Sequence, residues 1–495
     1  MQDLVNLVGS YVWSYWLIGL CLGAGLLFSG LTRFLQVRHF RHMIELLFSG
    51  KESERGISSF QALAVSLSGR VGTGNIAGVA AAIGFGGPGA VFWMWVVAFF
   101  GAATAYVEAA LGQIYKEEYE GQFRGGPAFY IEKAMGQRWY AWLFALTTIL
   151  ATGLLLPTVQ ANAISTSAEI AFGGGETLQT FFGDVSTTKL IAATVVVAIF
   201  GFIIFGGVKR IAHVTQVVVP FMALTYIVIA VGVVLINITE LPRVIGLILG
   251  DAFTPMAGVG AAIGWGVKRG VYSNEAGQGT APHAAAAAEV EHPAQQGLVQ
   301  AFSVYVDTLF VCTATAFMIL ITGAYNVRDE VTGSIIFPSE LVTAATDPNS
   351  PAFTQTALEY VFPSVGALFI AFALFFFAFT TVLAYYYIAE TNLAYLRRYF
   401  RIPGEMVLLK LLMIGAVFYG AVKTASLAWG LGDIGVGLMA WLNIIGILIL
   451  FFMGKPALKA LDDYERQKKA GVEHYTFDPE ALGIRNADFW KNKNS

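Results

Sequence analysis

Ser68-Gly69-Arg70-Val71-Gly72-Thr73-Gly74-Asn75 and Lys268-Arg269-Gly270-Val271-Tyr272-Ser273-Asn274-Glu275-Ala276-Gly277-Gln278-Gly279-Thr280 each cut across a long apolar run. A helix in hydrocarbon satisfies its own backbone and needs no such break. Where one occurs, peptide N–H and C=O groups are released and require partners. Glycine lets the chain leave the helix and lets a ligand approach the backbone. Paired breaks in corresponding halves of a membrane chain point to the solute site of a secondary transporter. The competing reading of the first break, a kink of small residues for close helix packing, does not explain why polar and glycine residues cluster there.

Composition supports a membrane chain. Of 495 residues, 56% are hydrophobic and 13% charged, with mean hydropathy +0.64; soluble domains carry roughly 25% charged residues. The net charge of −3 gives no footprint for nucleic acid. Cys21 and Cys312 both lie in apolar runs and read as small buried hydrophobes, not as a disulfide or metal pair. The run 11–31 lacks a basic leader, has Asp3 before it and Arg33, Arg38 and Arg41 after it. That order describes a retained span with an outside N-terminus, not a cleaved signal.

Runs of about twenty apolar residues are long enough to cross a bilayer as helices. They fall near 11–31, 60–84, 89–115, 140–171, 188–206, 214–237, 254–285, 297–323, 356–389, 405–425 and 434–453, eleven in all. The loops this places in the cytoplasm hold 22 Lys and Arg residues, Lys51 and Arg55 among them. The outer loops hold only Lys189, Arg243, Arg328 and Lys423. One missed helix would invert every later loop, so this asymmetry supports the count and predicts N-out, C-in. Residues 1–59 then form an extra helix and loop, 60–237 and 254–453 two inverted five-helix repeats, and 454–495 a cytoplasmic helix with a loose end.

The breaks carry the candidate chemistry. The half-helix resuming at Asn75 turns its free N–H groups and positive dipole end toward Gly72, Thr73 and Gly74, a place for a carboxylate. Carbonyls around Ser68 and Val71 suit a small hard cation. Ser273, Asn274, Gln278 and Thr280 offer neutral donors and acceptors. Lys268, Arg269 and Glu275 are charged within a span and need partners or water; a structural Arg269–Glu275 pair competes evenly with ligand contact. Gln160, beside Pro157, faces either the pocket or only a neighbouring helix. Thr380 and Thr381 offer hydroxyls to a cation, although adjacent threonines more often bond back to their own helix. Glu108 and Asp307 have three open roles: capping freed N–H groups, pairing with Arg70 or Arg269, or helping to hold a cation.

Two motifs are discounted. Gly430-Leu431-Gly432-Asp433 spells the GxGD of aspartyl proteases, but it lies near an outer end and reads as a helix start. Gly84-Phe85-Gly86-Gly87-Pro88-Gly89 joins two spans with no strand beside it and reads as a turn. No HExxH, CxxC or G-x-S-x-G occurs, so an enzyme is disfavoured. A passive channel would need repeated filter loops, and the two breaks are dissimilar.

Gly69-Arg70-Val71-Gly72-Thr73-Gly74-Asn75-Ile76-Ala77-Gly78-Val79-Ala80, with Gly86-Gly87-Pro88-Gly89-Ala90 and Phe92-Trp93-Met94-Trp95, closely resembles the alanine or glycine:cation symporter family. So do Val159-Gln160-Ala161-Asn162, Arg269-Gly270-Val271-Tyr272-Ser273-Asn274-Glu275-Ala276-Gly277 and Gly437-Leu438-Met439-Ala440, in family order along nearly the whole chain. The resemblance implies an all-α LeuT-type inverted repeat with one extra N-terminal helix in the bacterial inner membrane. It also implies sodium-driven uptake of small neutral amino acids with no cofactor; a glutamine-preferring or proton-coupled member is the alternative. Thr73 and Gly74 would meet the substrate carboxylate with Asn75 beside them, and Gln160, Ser273 and Asn274 would complete the pocket. By likeness to the wider fold, sodium would sit between the Ser68 and Val71 carbonyls and the Thr380 and Thr381 hydroxyls. His283 departs from the family pattern and supports no inference about protons.

Overall fold

A computed structural model describes residues 2–48, 56–206, 208–254 and 256–494; Lys51 and Arg55 fall outside them. Among the described residues, eight helices are long and apolar enough to cross a membrane, or nine if the bent pair Gln2–Val12 and Tyr15–Leu31 (42°) is one span. Two further apolar stretches are each divided. Ser59–Arg70 leads through a π-helical turn, Gly74–Gly78, into Val79–Gly86, and Val259–Asn274 is followed after a turn by Ala281–Ala287. These are the two breaks expected from the sequence.

Small residues determine how closely the helices meet. The helix Gly89–Ile114 is touched by Val259–Asn274, Ala281–Ala287, Pro293–Val304 and Tyr15–Leu31. A Cβ on Gly266 would lie 2.5 Å from the Ala90 carbonyl, and one on Gly112 2.7 Å from the Pro282 carbonyl. Backbones therefore pack directly on one another, as small residues permit in lipid. A second group gathers around Leu156–Phe172, which packs on Gly366–Arg397, Glu405–Val422 and Ala425–Gly454. The first broken stretch lies between them: Ser59–Arg70 packs on Ala281–Ala287 and Pro293–Val304 on one side and on Gly366–Arg397 on the other.

Several expectations are corrected. The stretch 356–389 is two helices, Ala352–Val361 and Gly366–Arg397. The last span begins at Ala425, nine residues before the expected start, so Asp433 lies inside a helix rather than at its start. The tail is no loose end. After Pro456–Lys469, Phe477, Ile484, Ala487 and Trp490 are buried, and the Trp490 indole donates to the Gln113 carbonyl at 2.8 Å.

Loops assigned from charge to one side do meet at one end of the molecule. Arg33 pairs with Asp462 at 2.8 Å, Arg397 with Glu120 at 3.1 Å, and Lys133 with Asp488 at 3.4 Å. At the other end Lys423 donates to the Phe182 carbonyl, at 2.9 Å.

Candidate functional site

The first half-helix begins with a capping box: Gln61 N–H donates to Ser58 Oγ (3.2 Å) and Ser58 N–H to Gln61 Oε1 (2.9 Å). It ends at Val71, whose ψ of 88° turns the chain out of the helix. The released N–H groups of Gly72 and Thr73 are then accepted by two side-chain amide oxygens. Gly72 N–H donates to Asn75 Oδ1 at 2.8 Å, and Thr73 N–H to Gln160 Oε1 at 3.0 Å. Two oxygens side by side on consecutive N–H groups occupy the positions a carboxylate would take. The Thr73 hydroxyl is buried and has no partner among the described residues.

The carboxamide of Asn75 also ties the break to Asp307, donating to its Oδ1 at 2.6 Å. The hydroxyls of Ser273 (3.0 Å) and Thr308 (2.7 Å) donate to the same carboxylate. Asp307 lies in a π-helical segment, Tyr305–Cys312, and a second one, Ala151–Leu155, precedes Gln160. Such turns recur at functional sites because they displace a side chain from the regular helix rows. Thus Asn75, Ser273 and Asp307 join the two breaks through one buried carboxylate.

The second break is held open by its own side chains. Glu275 takes a left-handed φ of 57°, and Gly277 and Gly279 follow at 89° and 79°. Gln278 Nε2 donates back to the Val271 carbonyl at 2.6 Å, which also accepts from Glu275 N–H at 2.9 Å, so its amide is turned to the helix end and not to the gap. Asn274 Oδ1 accepts from Ala276 N–H at 3.0 Å. Glu108 accepts from the N–H groups of Gly277 (3.4 Å) and Gly279 (3.2 Å) and from Asn443 Nδ2 (2.8 Å). Of its open roles it takes capping. Asn443, itself bonded by the Tyr130 hydroxyl, went unread in the sequence; a lone asparagine in an apolar run was the available signal.

The expected cation ligands are only partly together. Thr381 Oγ1 is 3.5 Å from the Val71 carbonyl while bonding back to Phe377 O at 2.9 Å. Among the described residues the Thr380 hydroxyl bonds only to its own helix, at Phe376 O and Phe377 O.

The charged residues also sort differently from expectation. Arg269 does not pair with Glu275. It grips Asp433 with two guanidinium nitrogens at 2.7 and 3.2 Å and stacks 4.1 Å from the Trp429 ring centre. Lys268 meets the same carboxylate at 2.7 Å. Arg70 makes no ion pair among the described residues; it donates to the Gln300 carbonyl (3.1 Å) and to the Ser303 hydroxyl. Asp433 was missed because its partner Arg269 lies 164 residues away and its GxGD setting suggested a helix start.

This is a helical membrane protein built around two facing broken helices. Its fold matches the crystal structure of MhsT in complex with L-phenylalanine with a TM-score of 0.52 over 81% of this chain and all of that one; at 13% identity the likeness shows the LeuT-type fold alone. The chain belongs to the sodium:alanine symporter family, whose model matches residues 1–479. It is 56% identical to YrbD of Bacillus subtilis (strain 168) over all of this chain and 98% of that protein. It is 50% identical to the sodium/proton-dependent alanine carrier protein of Bacillus sp. (strain PS3), over 91% of this chain and 97% of that one.

Proposed function

We propose that this chain carries a small neutral amino acid, alanine or glycine, into the cell together with sodium, by alternating access around the two breaks. The observation that carries this is the pair of adjacent N–H groups at Gly72 and Thr73, held by the amide oxygens of Asn75 and Gln160. A substrate carboxylate displaces those oxygens and gains the unpartnered Thr73 hydroxyl as a further donor. Asn75, relieved of Gly72, stays beside Asp307, whose carboxylate offers the substrate ammonium a negative charge in a dry site. The Val71 carbonyl and the Thr381 hydroxyl face each other across the first break and supply oxygens for sodium.

Tight packing supports a small substrate. A Cβ on Gly74 would lie 3.2 Å from the Ser273 Cα, and one on Gly72 would fall on the Thr381 hydroxyl. In this reading 60–237 and 254–453 are the inverted repeats, with the N-terminus outside and the tail in the cytoplasm. Each sodium charge moving inward gains about 2.3 kcal/mol per 100 mV. Alanine uptake into proteoliposomes, with and without an inward sodium gradient, tests the proposal. Accumulation above the external concentration is expected only with the gradient; equal uptake in both overturns it.

A further inference from the structure

Beneath the Val71–Thr381 contact lies a small space that the scheme above leaves unused. Ser66 and Gly69 of the first half-helix, Glu275 and Thr280 of the second break, and Ala384 and Tyr387 of Gly366–Arg397 line it. It has a volume of about 10 Å³, room for about one water-sized body. Glu275 Oε2 accepts from the Thr280 hydroxyl at 2.8 Å. Glu275 Oε1 and the Ser66 hydroxyl have no partner among the described residues, although the two residues are only 2% and 4% exposed.

Three other carboxylates buried near the breaks are fully partnered. Glu108 and Asp307 each accept from three donors, and Asp433 is paired with two cations. A carboxylate oxygen withdrawn from water without a partner is costly, and buried charges are normally paired or metal-bound. Three side-chain oxygens around a space of this size suit a small hard cation. Gly69 and Ser66 precede Val71 and Ala384 follows Thr381, so the space sits about one turn (~5 Å) from the first sodium position, toward the end that carries the tail.

We propose that Glu275, Ser66 and Thr280 form a second sodium site, filled in addition to the ion at Val71 and Thr381 and next in line on the way to the tail end. The proposal rests on the sodium-coupled reading above. Sodium binding to the purified full-length protein without alanine, followed with radioactive sodium, and ion stoichiometry from reversal potentials in proteoliposomes together test it. Glu275→Gln is expected to bind and transport one sodium ion fewer per protein. Ser66→Ala is expected to keep the wild-type count with sodium affinity lowered roughly three- to tenfold and alanine half-saturation at saturating sodium unchanged. Should Glu275→Gln fail to fold, Ser66→Ala decides alone. Wild-type sodium count and affinity in the folded variants overturn the proposal. So does a wild-type protein that carries a proton with each alanine and a Glu275→Gln protein that carries none while keeping its sodium count, which would assign the site to a proton. Failure of the coupled reading shows separately, as wild-type protein that takes up alanine without regard to sodium.

Discussion

Thr73 places a hydroxyl in the gap with no partner among the described residues, and this lets binding be separated from folding. Thr73→Val keeps the shape and breaks no hydrogen bond within the protein. Thermal stability is therefore expected to hold or rise slightly, while the alanine half-saturation rises roughly three- to tenfold for one lost hydrogen bond. Uptake kinetics and a melting curve on the same preparation check both halves; an unchanged half-saturation would remove Thr73 from the site. Gln160 differs, since its Oε1 already serves Thr73 N–H, so any change there moves folding and binding together. Arg269 differs again. Its two-pronged grip on Asp433, with Trp429 stacked on it, joins the second broken helix to the last long helix, Ala425–Gly454. Deleting Asp433 costs about 3–5 kcal/mol, because the buried Arg269 guanidinium is left stranded; deleting Arg269 costs less, because Lys268 still meets Asp433 at 2.7 Å.

The two broken helices are held open by different means. The first needs Gly72 and Gly74 for close approach, and its N–H groups are accepted by residues that also frame the gap. The second is braced from outside, with Glu108 and Asn443 holding Gly277 and Gly279. Gly279 has a φ of 79°, and a Cβ there would lie 2.6 Å from Pro127 Cγ and 2.9 Å from Asn443 Cγ. Gly279→Ala therefore adds about 1–2 kcal/mol of left-handed backbone strain to a clash with the brace itself. The expected result is a lower melting temperature and weakened alanine uptake. Gly121→Ala, at φ 72° with no atom within 4 Å of its Cβ, carries the strain without the clash. It is expected to fall less far in melting temperature and to transport normally, and equal losses in the two variants would refute the bracing role of Glu108 and Asn443.

At the scale of the molecule, legibility followed locality. Both breaks could be read because glycine and polar residues stand out within a few positions of an apolar run, and the bundle could be read from the runs themselves. The Arg269–Asp433 pair could not, since nothing local to Asp433 marks a distant guanidinium. The π-helical turns at 151–155 and 305–312 left no compositional trace. The docked tail was also hidden, because its burial depends on a few anchors in a polar stretch. Trp490 is 1% exposed and bonded to Gln113 O, while Glu465 accepts from Arg38 at 2.7 Å and lies 2.9 Å from His39 Nε2. Burial tends to raise the Glu465 carboxyl, but hydrogen bonds from Arg38 and His39 outweigh it and leave the group below its ordinary value. Burial holds the His39 imidazole below its ordinary value too, against the pull of Glu465. Both depressed values mean that docking is favoured by the deprotonated forms. It is fully present above the ordinary imidazole value of about 6.5, weakens as His39 takes up a proton below it, and weakens again as Glu465 is protonated in more acid solution. Hydrogen exchange across 456–494, corrected for the intrinsic effect of pH, is expected to quicken as pH falls through those steps while the 89–114 helix stays protected. Trp490→Ala, losing about 3–5 kcal/mol of buried contact, should give the same loosening at neutral pH; a tail equally protected in that variant would show that its docking rests on other contacts.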